Sequence, residues 1–251
     1  MATYGKRKTT SNRPHIMDTS AYQQLAKEKL GGEFANLDLL ITALTHRSYL
    51  NEHRSTVKEH NERLEFLGDA VLELVVTEFL YGNYTEPEGI LTNWRSSLVR
   101  TESIGAAADR LGFEALLRLS RGEKRGTERA RAQILANSFE AVTGALYLDK
   151  GYEAAKIFIT QNILSTFGEI LKTGSWMDPK SHLQEVVQAQ GGSTPQYKVI
   201  SEEGPDHDKT FTVGAYVDGV IKGQGVGPSK QAAQVAAATA ALEKYGDKTN
   251  N

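Results

Sequence analysis

The chain has 251 residues, 39% of them apolar, and 29 basic against 31 acidic residues. That is enough apolar material for one large domain or two smaller ones, without the charge excess that would keep a chain unfolded. The lack of cysteine excludes disulfides, thiolate nucleophiles and sulfur-based zinc sites. No apolar run is long enough to span a membrane and the first residues lack the apolar core of a secretory signal, so the cytoplasm is the expected compartment.

Residues 1–17 carry Lys6, Arg7, Lys8 and Arg13 with no acid and no hydrophobic period, which reads as a flexible basic tail. From 18 to 170 every long periodic segment predicts helix: SAYQQLAKEKL, LDLLITALTHRSYL, ERLEFLGDAVLELVVTEFLYG, EPEGILTNWRSSLVRTESIGAAADRL, ERARAQILANSFEAVTGALYLDKG and YEAAKIFITQNILSTFGEIL. Pro87 suits the first turn of a helix, and GFEALL an extra turn after Gly112. LKTGSWMDPKS mixes Gly, Ser, Asp and Pro where the pattern changes, so a linker is expected over 171–177. Over 178–246 the order is helix (PKSHLQEVVQAQGG), three short strands (QYKVISEEG, KTFTVGAYVDG, VIKGQGVG) and an Ala-rich helix begun at a Pro-Ser cap. Three strands with two helices on one face make a small domain; residues 247–251 form a tail. The expected fold is an all-α domain followed by a small α+β domain of order α-β-β-β-α.

The segment NERLEFLGDAVLE carries the chemistry. Glu65 and Asp69 are four apart, so they share a helix face, and Glu62, three before Glu65, lies close to it. Carboxylates side by side raise one another's proton affinity unless a cation intervenes, and a hard divalent ion with oxygen ligands is the natural resident. A second oxygen pair, Asn137 and Glu140, stands three apart on the otherwise apolar ILANSFEAVTGALYLD. Two helices converging their oxygens around one or two ions would serve phosphoryl chemistry; spacing alone fits a solvated helix face as well. His46 and His60 read as capping or packing residues near helix junctions. Arg95 and the run GEKRGTERARA, with Lys124 and Arg125, could meet phosphates or simply face water.

NERLEFLGDAVLE resembles the signature of the ribonuclease III family. THRSY at 45–49, GILTNWRSSLVR at 89–100 and ILANSFEAVTGALYLD at 134–149 are similar to its other motifs, and 178–245 resembles its double-stranded RNA-binding domain. The resemblance implies a metal-dependent endoribonuclease, with a catalytic and dimerisation domain over 18–170. It would cut double-stranded RNA, not DNA, to 5′-phosphate and 3′-hydroxyl ends, in ribosomal precursor and messenger RNA processing. It implies Mg2+, with Mn2+ substituting, held by Glu65, Asp69, Asn137 and Glu140, and a supporting role for Glu62 in the catalytic set. Glu88 matches a less invariant acid, and Phe66 the knob of a homodimer interface. Asn137 departs from the family's common Asp; losing that charge should raise the Mg2+ requirement.

In the second domain the resemblance places Gln184 and Glu185 on one minor groove, His207 on a neighbouring one, and Lys230 on phosphates at the start of the last helix. Where relatives often show SKK or SRR, this chain has SKQ, and Gln231 cannot displace a counterion. Residues 178–245 hold six Lys or Arg against eight Asp or Glu, so modest affinity is expected. Gly225 and Gly227 are expected to form turns before the last helix, and Ala233, Ala236 and Ala237 to pack on the sheet. The alternative reading is a double-stranded RNA-binding protein whose cleavage is weakened or lost through Asn137.

Overall fold

The computed structural model describes residues 18–205 and 208–246, so the expected tails and His207 lie outside the described residues. The order of elements is α1 (Ser20–Lys29), α2 (Leu37–Ala43), α3 (Arg47–Glu52), α4 (Glu62–Asn83), α5 (Glu88–Val99), α6 (Thr101–Arg110), α7 (Glu128–Lys150), α8 (Tyr152–Asn162), α9 (Phe167–Thr173), α10 (Pro179–Ala189), β1 (Gln196–Glu203), β2 (Thr210–Val217), β3 (Val220–Gly227) and α11 (Lys230–Gly246). Short 3-10 turns stand at Phe113–Leu116, Glu123–Arg125 and Leu164–Thr166. The helical part and the following α-β-β-β-α part are as the sequence predicts.

Two compact units hold these elements: one runs to Val75 and resumes over Ile104–Thr160, the other combines Val76–Ser103 with the chain from Gln161 onward. In the first, α7 is the central helix. Phe139 stacks on Phe158 with ring centroids 4.8 Å apart, and Leu40, Leu44, Leu72, Ile104 and Leu146 are fully buried. Ser138 and Thr143, also buried, donate their hydroxyls back to the carbonyls of Ile134 and Phe139 at 2.7 and 2.9 Å, which satisfies them inside the helix itself.

In the second unit Trp94 is ringed edge-on by Tyr84, Phe167 and Trp176 at 5.2, 5.3 and 5.9 Å. Within the expected linker, Leu171–Thr173 belong to α9, Gly174 caps it in the left-handed region and Trp176 joins this aromatic cluster. The sheet is antiparallel in the order β1-β2-β3, with Asp218 and Gly219, both at positive φ, forming the two-residue β2–β3 hairpin turn. One face of the sheet is core: Val213, Ala215 and Val217 meet Leu183 and Val187 of α10 and Ala233, Ala237, Ala238 and Ala241 of α11.

Three expected helices are broken. The 37–50 segment splits because Thr45 and His46 find partners outside the helix: Arg118 donates its amide to Leu44 and accepts one from His46, and Asn61 donates its own to Thr45. The 86–111 segment splits at Arg100, extended at ψ 152°, and the 152–171 segment at Ile163, where a 3-10 turn intervenes. Pro87 is the N-cap residue, one position before the first turn. Gly225 and Gly227 lie within β3, not in turns; their missing side chains let α11 approach the strand, where a Cβ on Gly225 would strike the backbone of Ala237.

Candidate active site

Helices α4 and α7 meet at two glycines. A Cβ on Gly68 would run into the carbonyl of Glu140, and one on Gly144 into that of Leu64, so the helices touch backbone to backbone. This contact decides where the acids stand. Glu65 and Asp69 flank Gly68, while Asn137 and Glu140 precede Gly144 on α7. From Ile134 to Leu146 every residue of α7 is buried except Asn137 and Glu140. Along the buried middle of α7, Asn137 and Glu140 are the two positions partly open to solvent, so theirs are the side-chain oxygens of that stretch that a ligand can reach.

The charges there feel one another. Burial, then the charges of Asp69, Glu65 and Glu73, push the Glu140 carboxyl up to about 7. Burial and the neighbouring Glu62 also raise Glu65, Asp69 adds to the rise, and a side-chain hydrogen bond with Asn137 opposes it. Asn137 is itself held, since its Oδ1 accepts from Gln133 Nε2 at 2.7 Å. Glu62 faces elsewhere, accepting from Arg47 at 3.2 Å, with His60 Nδ1 3.9 Å from its other oxygen. Glu88, in the first turn of α5, is exposed.

Mutually repelling carboxylates, Glu65 and Glu140 half-buried and Asp69 exposed, have oxygens that suit a hard divalent cation. Among the described residues no three Asp, Glu, His or Cys side chains close on one point as a ready cage. The carboxylate oxygens of Glu65, Asp69 and Glu140 nonetheless match the ligand chemistry and charge of a hard divalent cation. His46 is the N-cap of α3, its Nδ1 taking the Ser48 amide at 3.3 Å, and burial pushes its pKa down; both fit a neutral cap. Phe66 is 81% exposed and borders a cavity of about 880 Å3 lined in part by Leu39, Thr42, His60, Leu64 and Leu148.

On the second domain Gln184 and Gln231 line one hollow of about 480 Å3, together with Lys180 and Tyr197. Glu185 is exposed on α10. Lys230 opens α11, with Ser229 accepting the Ala232 amide as its cap at 3.1 Å. Its ammonium is paired with Glu202 at 2.8 Å. Of the basic run, Lys124 and Arg125 are exposed, Arg131 pairs with Glu114, and Arg95 donates to Thr77 at 3.1 Å.

Sequence reasoning missed Gln133 and the pairing of Lys230 with Glu202. Gln133 stands four before Asn137, a spacing that could have found it. Glu202 needed the strand register, which no local spacing supplies.

A helical domain with a carboxylate cluster, joined to a three-stranded domain that presents a lysine at a helix start, has the parts that chemistry on a nucleic-acid backbone calls for. The comparisons agree. Residues 36–167 match the family model described as Ribonuclease-III-like, and 179–245 the double-stranded RNA binding motif. The chain is similar to Ribonuclease 3 of Streptococcus pneumoniae (strain P1031), 45% identical over 226 residues, 88% of this chain and 96% of the relative. It is also similar to Ribonuclease 3 of Bdellovibrio bacteriovorus, 44% identical over 89% and 96%. A solved nuclease domain of ribonuclease III from Campylobacter jejuni superposes with TM-score 0.50 at 36% identity, covering 57% of this chain and 98% of that one. The chain belongs to the ribonuclease III family and is an endoribonuclease acting on double-stranded RNA. Among the described residues no helix is long and apolar enough to cross a membrane.

Proposed function

We propose that the acids at the Gly68–Gly144 contact hydrolyse phosphodiester bonds of duplex RNA with Mg2+ as the resident cation, Mn2+ substituting, and leave 5′-phosphate and 3′-hydroxyl ends. The observation that carries this reading is that Asn137 and Glu140 alone break the burial of central α7, beside Glu65 and Asp69. Glu65, Asp69 and Glu140, with the oxygen of Asn137, would hold the ion. When bound, it supplies an acidified water and positive charge against the phosphoryl oxygens. The chain's own residues do the rest. Burial keeps Glu140 in a medium where its charge acts strongly, Gln133 fixes Asn137, Glu62 plays a supporting part near the interface or substrate, and the second domain binds the duplex through Gln184, Glu185, His207, Lys230 and Gln231. Recognition through 2′-hydroxyls in a wide minor groove excludes DNA as substrate.

Asn137 contributes no charge, so cutting should persist with a raised Mg2+ requirement. Gel analysis of long duplex RNA across a Mg2+ titration tests both points. The parent should shorten the RNA, Asn137→Asp should do so at lower Mg2+, and Glu140→Ala should lose on the order of 10²- to 10³-fold in rate. RNA retarded but never cut by the parent would sink the enzymatic reading, and identical Mg2+ curves the reading of Asn137.

A homodimer in which each protomer supplies one cutting centre would make staggered breaks, with Phe66 of each copy entering the cavity beside the other's α4. The exposure of Phe66 supports this, as does the Campylobacter neighbour, which is described by a region involved in dimer formation. Phe66→Ala should raise the monomer fraction in sedimentation; an undiminished dimer removes Phe66 as the anchor. We assign catalysis and dimerisation to 18–170, the connection to 171–177 and RNA binding to 178–246. The natural work would be cytoplasmic ribosomal precursor maturation and messenger turnover.

A further inference from the structure

Lys230 does not wait for RNA unpaired. Glu202, on β1, stands in register opposite Phe211 of β2, and the Lys230 ammonium lies 5.5 Å above the Phe211 ring. This cross-strand pairing puts the carboxylate beside the start of α11. Its Oε1 takes Lys230 Nζ at 2.8 Å, and its Oε2 lies 3.8 Å from Lys209 Nζ. Two lysines thus share one acid, and all three side chains are partly open to solvent. The hydrogen bond from Lys230 and the charges of both lysines hold the Glu202 carboxyl below its ordinary range, so it stays ionised wherever RNA binding is measured near neutrality.

A phosphate approaching Lys230 therefore meets a site already answered by an internal anion. The ammonium has three donors and can keep Glu202 while reaching a phosphate, but the net charge it offers is reduced, and a paired lysine releases less counterion on binding. We propose that Glu202 is an intramolecular competitor for the RNA backbone, which holds Lys230, and more weakly Lys209, and sets the domain's affinity for duplex RNA below what its lysines would give. This rests on the reading of Lys230 as a phosphate contact. It also gives a local cause for modest affinity, beyond the domain's net charge: the acid faces the contact lysine itself.

The test is a double-mutant cycle on the full chain in EDTA, with binding to a duplex of about 16 base pairs followed across a salt series. Glu202→Gln should tighten binding about three- to tenfold and steepen the slope of log K against log salt by up to about one. Lys230→Ala should weaken binding and flatten the slope by about one. The gain from Glu202→Gln should vanish in the Lys230→Ala background. Weaker or unchanged binding by Glu202→Gln, with Lys230→Ala still impaired, overturns the competitor role while leaving the phosphate contact intact. A gain that survives Lys230→Ala overturns it too. Lys230→Ala without effect would sink the phosphate contact. An exposed ion pair contributes little to folding, and matching thermal melts, with Glu202→Ala as second variant, separate loss of fold from loss of competition.

Discussion

At the α4–α7 contact Gly68 and Gly144 bring two helices into backbone contact, and in the RNA-binding domain Gly223, Gly225 and Gly227 bring α11 equally close to β3. The electrostatic outcomes are opposite. In the first place the close approach drives carboxylates of two helices into one another's field, and Glu140 and Glu65 hold their protons more tightly. In the second it brings helix and sheet together under a thin alanine core, and the charges, Lys230 and Glu202, end at the solvent-facing rim, where they neutralise each other. The same device of small residues thus gathers repelling carboxylates in one domain and leaves a neutralised ion pair at the rim of the other.

The largest effect that would break this comparison is steric. Gly68→Ala must part α4 from α7 against the Glu140 backbone, and should cost about 3 kcal/mol, the upper end for overpacking, with cleavage lost even where the protein still folds. Urea unfolding with a cleavage assay at low temperature checks this; a stable, fully active variant would mean that the close contact is not what sets the acids. Gly225→Ala should cost about 2 kcal/mol by the same mechanism but impair duplex binding, leaving metal-dependent properties of the first centre alone. If it disturbed both equally, the two contacts would not be independent.

A further effect, on stability itself, is a pH dependence. Glu140 has a folded-state pKa of about 7 against an ordinary 4.5, so the folded state holds a proton that the unfolded chain has released. Its contribution favours folding below about 4.5, fades as pH rises and is gone above about 7. In EDTA the melting temperature of the parent should fall between pH 5 and 7 more steeply than that of Glu140→Gln. Parallel slopes would show that Glu140 is not in the strained field described above.

Much of this was legible in the sequence for reasons that are local. The 3.6-residue period gave α4 and α7 almost to the residue, and the turn residues between the strand segments gave the limits of the strands. Glu65 and Asp69, four apart, needed nothing but helix geometry to share a face. What failed was wherever a backbone group had a better partner far along the chain: Thr45 with Arg118 and Asn61 split an expected helix, and no periodicity carries that information. The glycines of β3 were expected in turns because composition cannot tell a turn from a close helix approach.

The sequence by itself determined which oxygens lie together along each helix, because an intrahelical spacing is a property of the backbone alone. Only the tertiary structure decided that α4 and α7 touch at Gly68 and Gly144 and that Glu202 stands against Lys230. Those pairings depend on which surfaces exclude water together and on strand register, and neither is encoded within any short stretch of the chain.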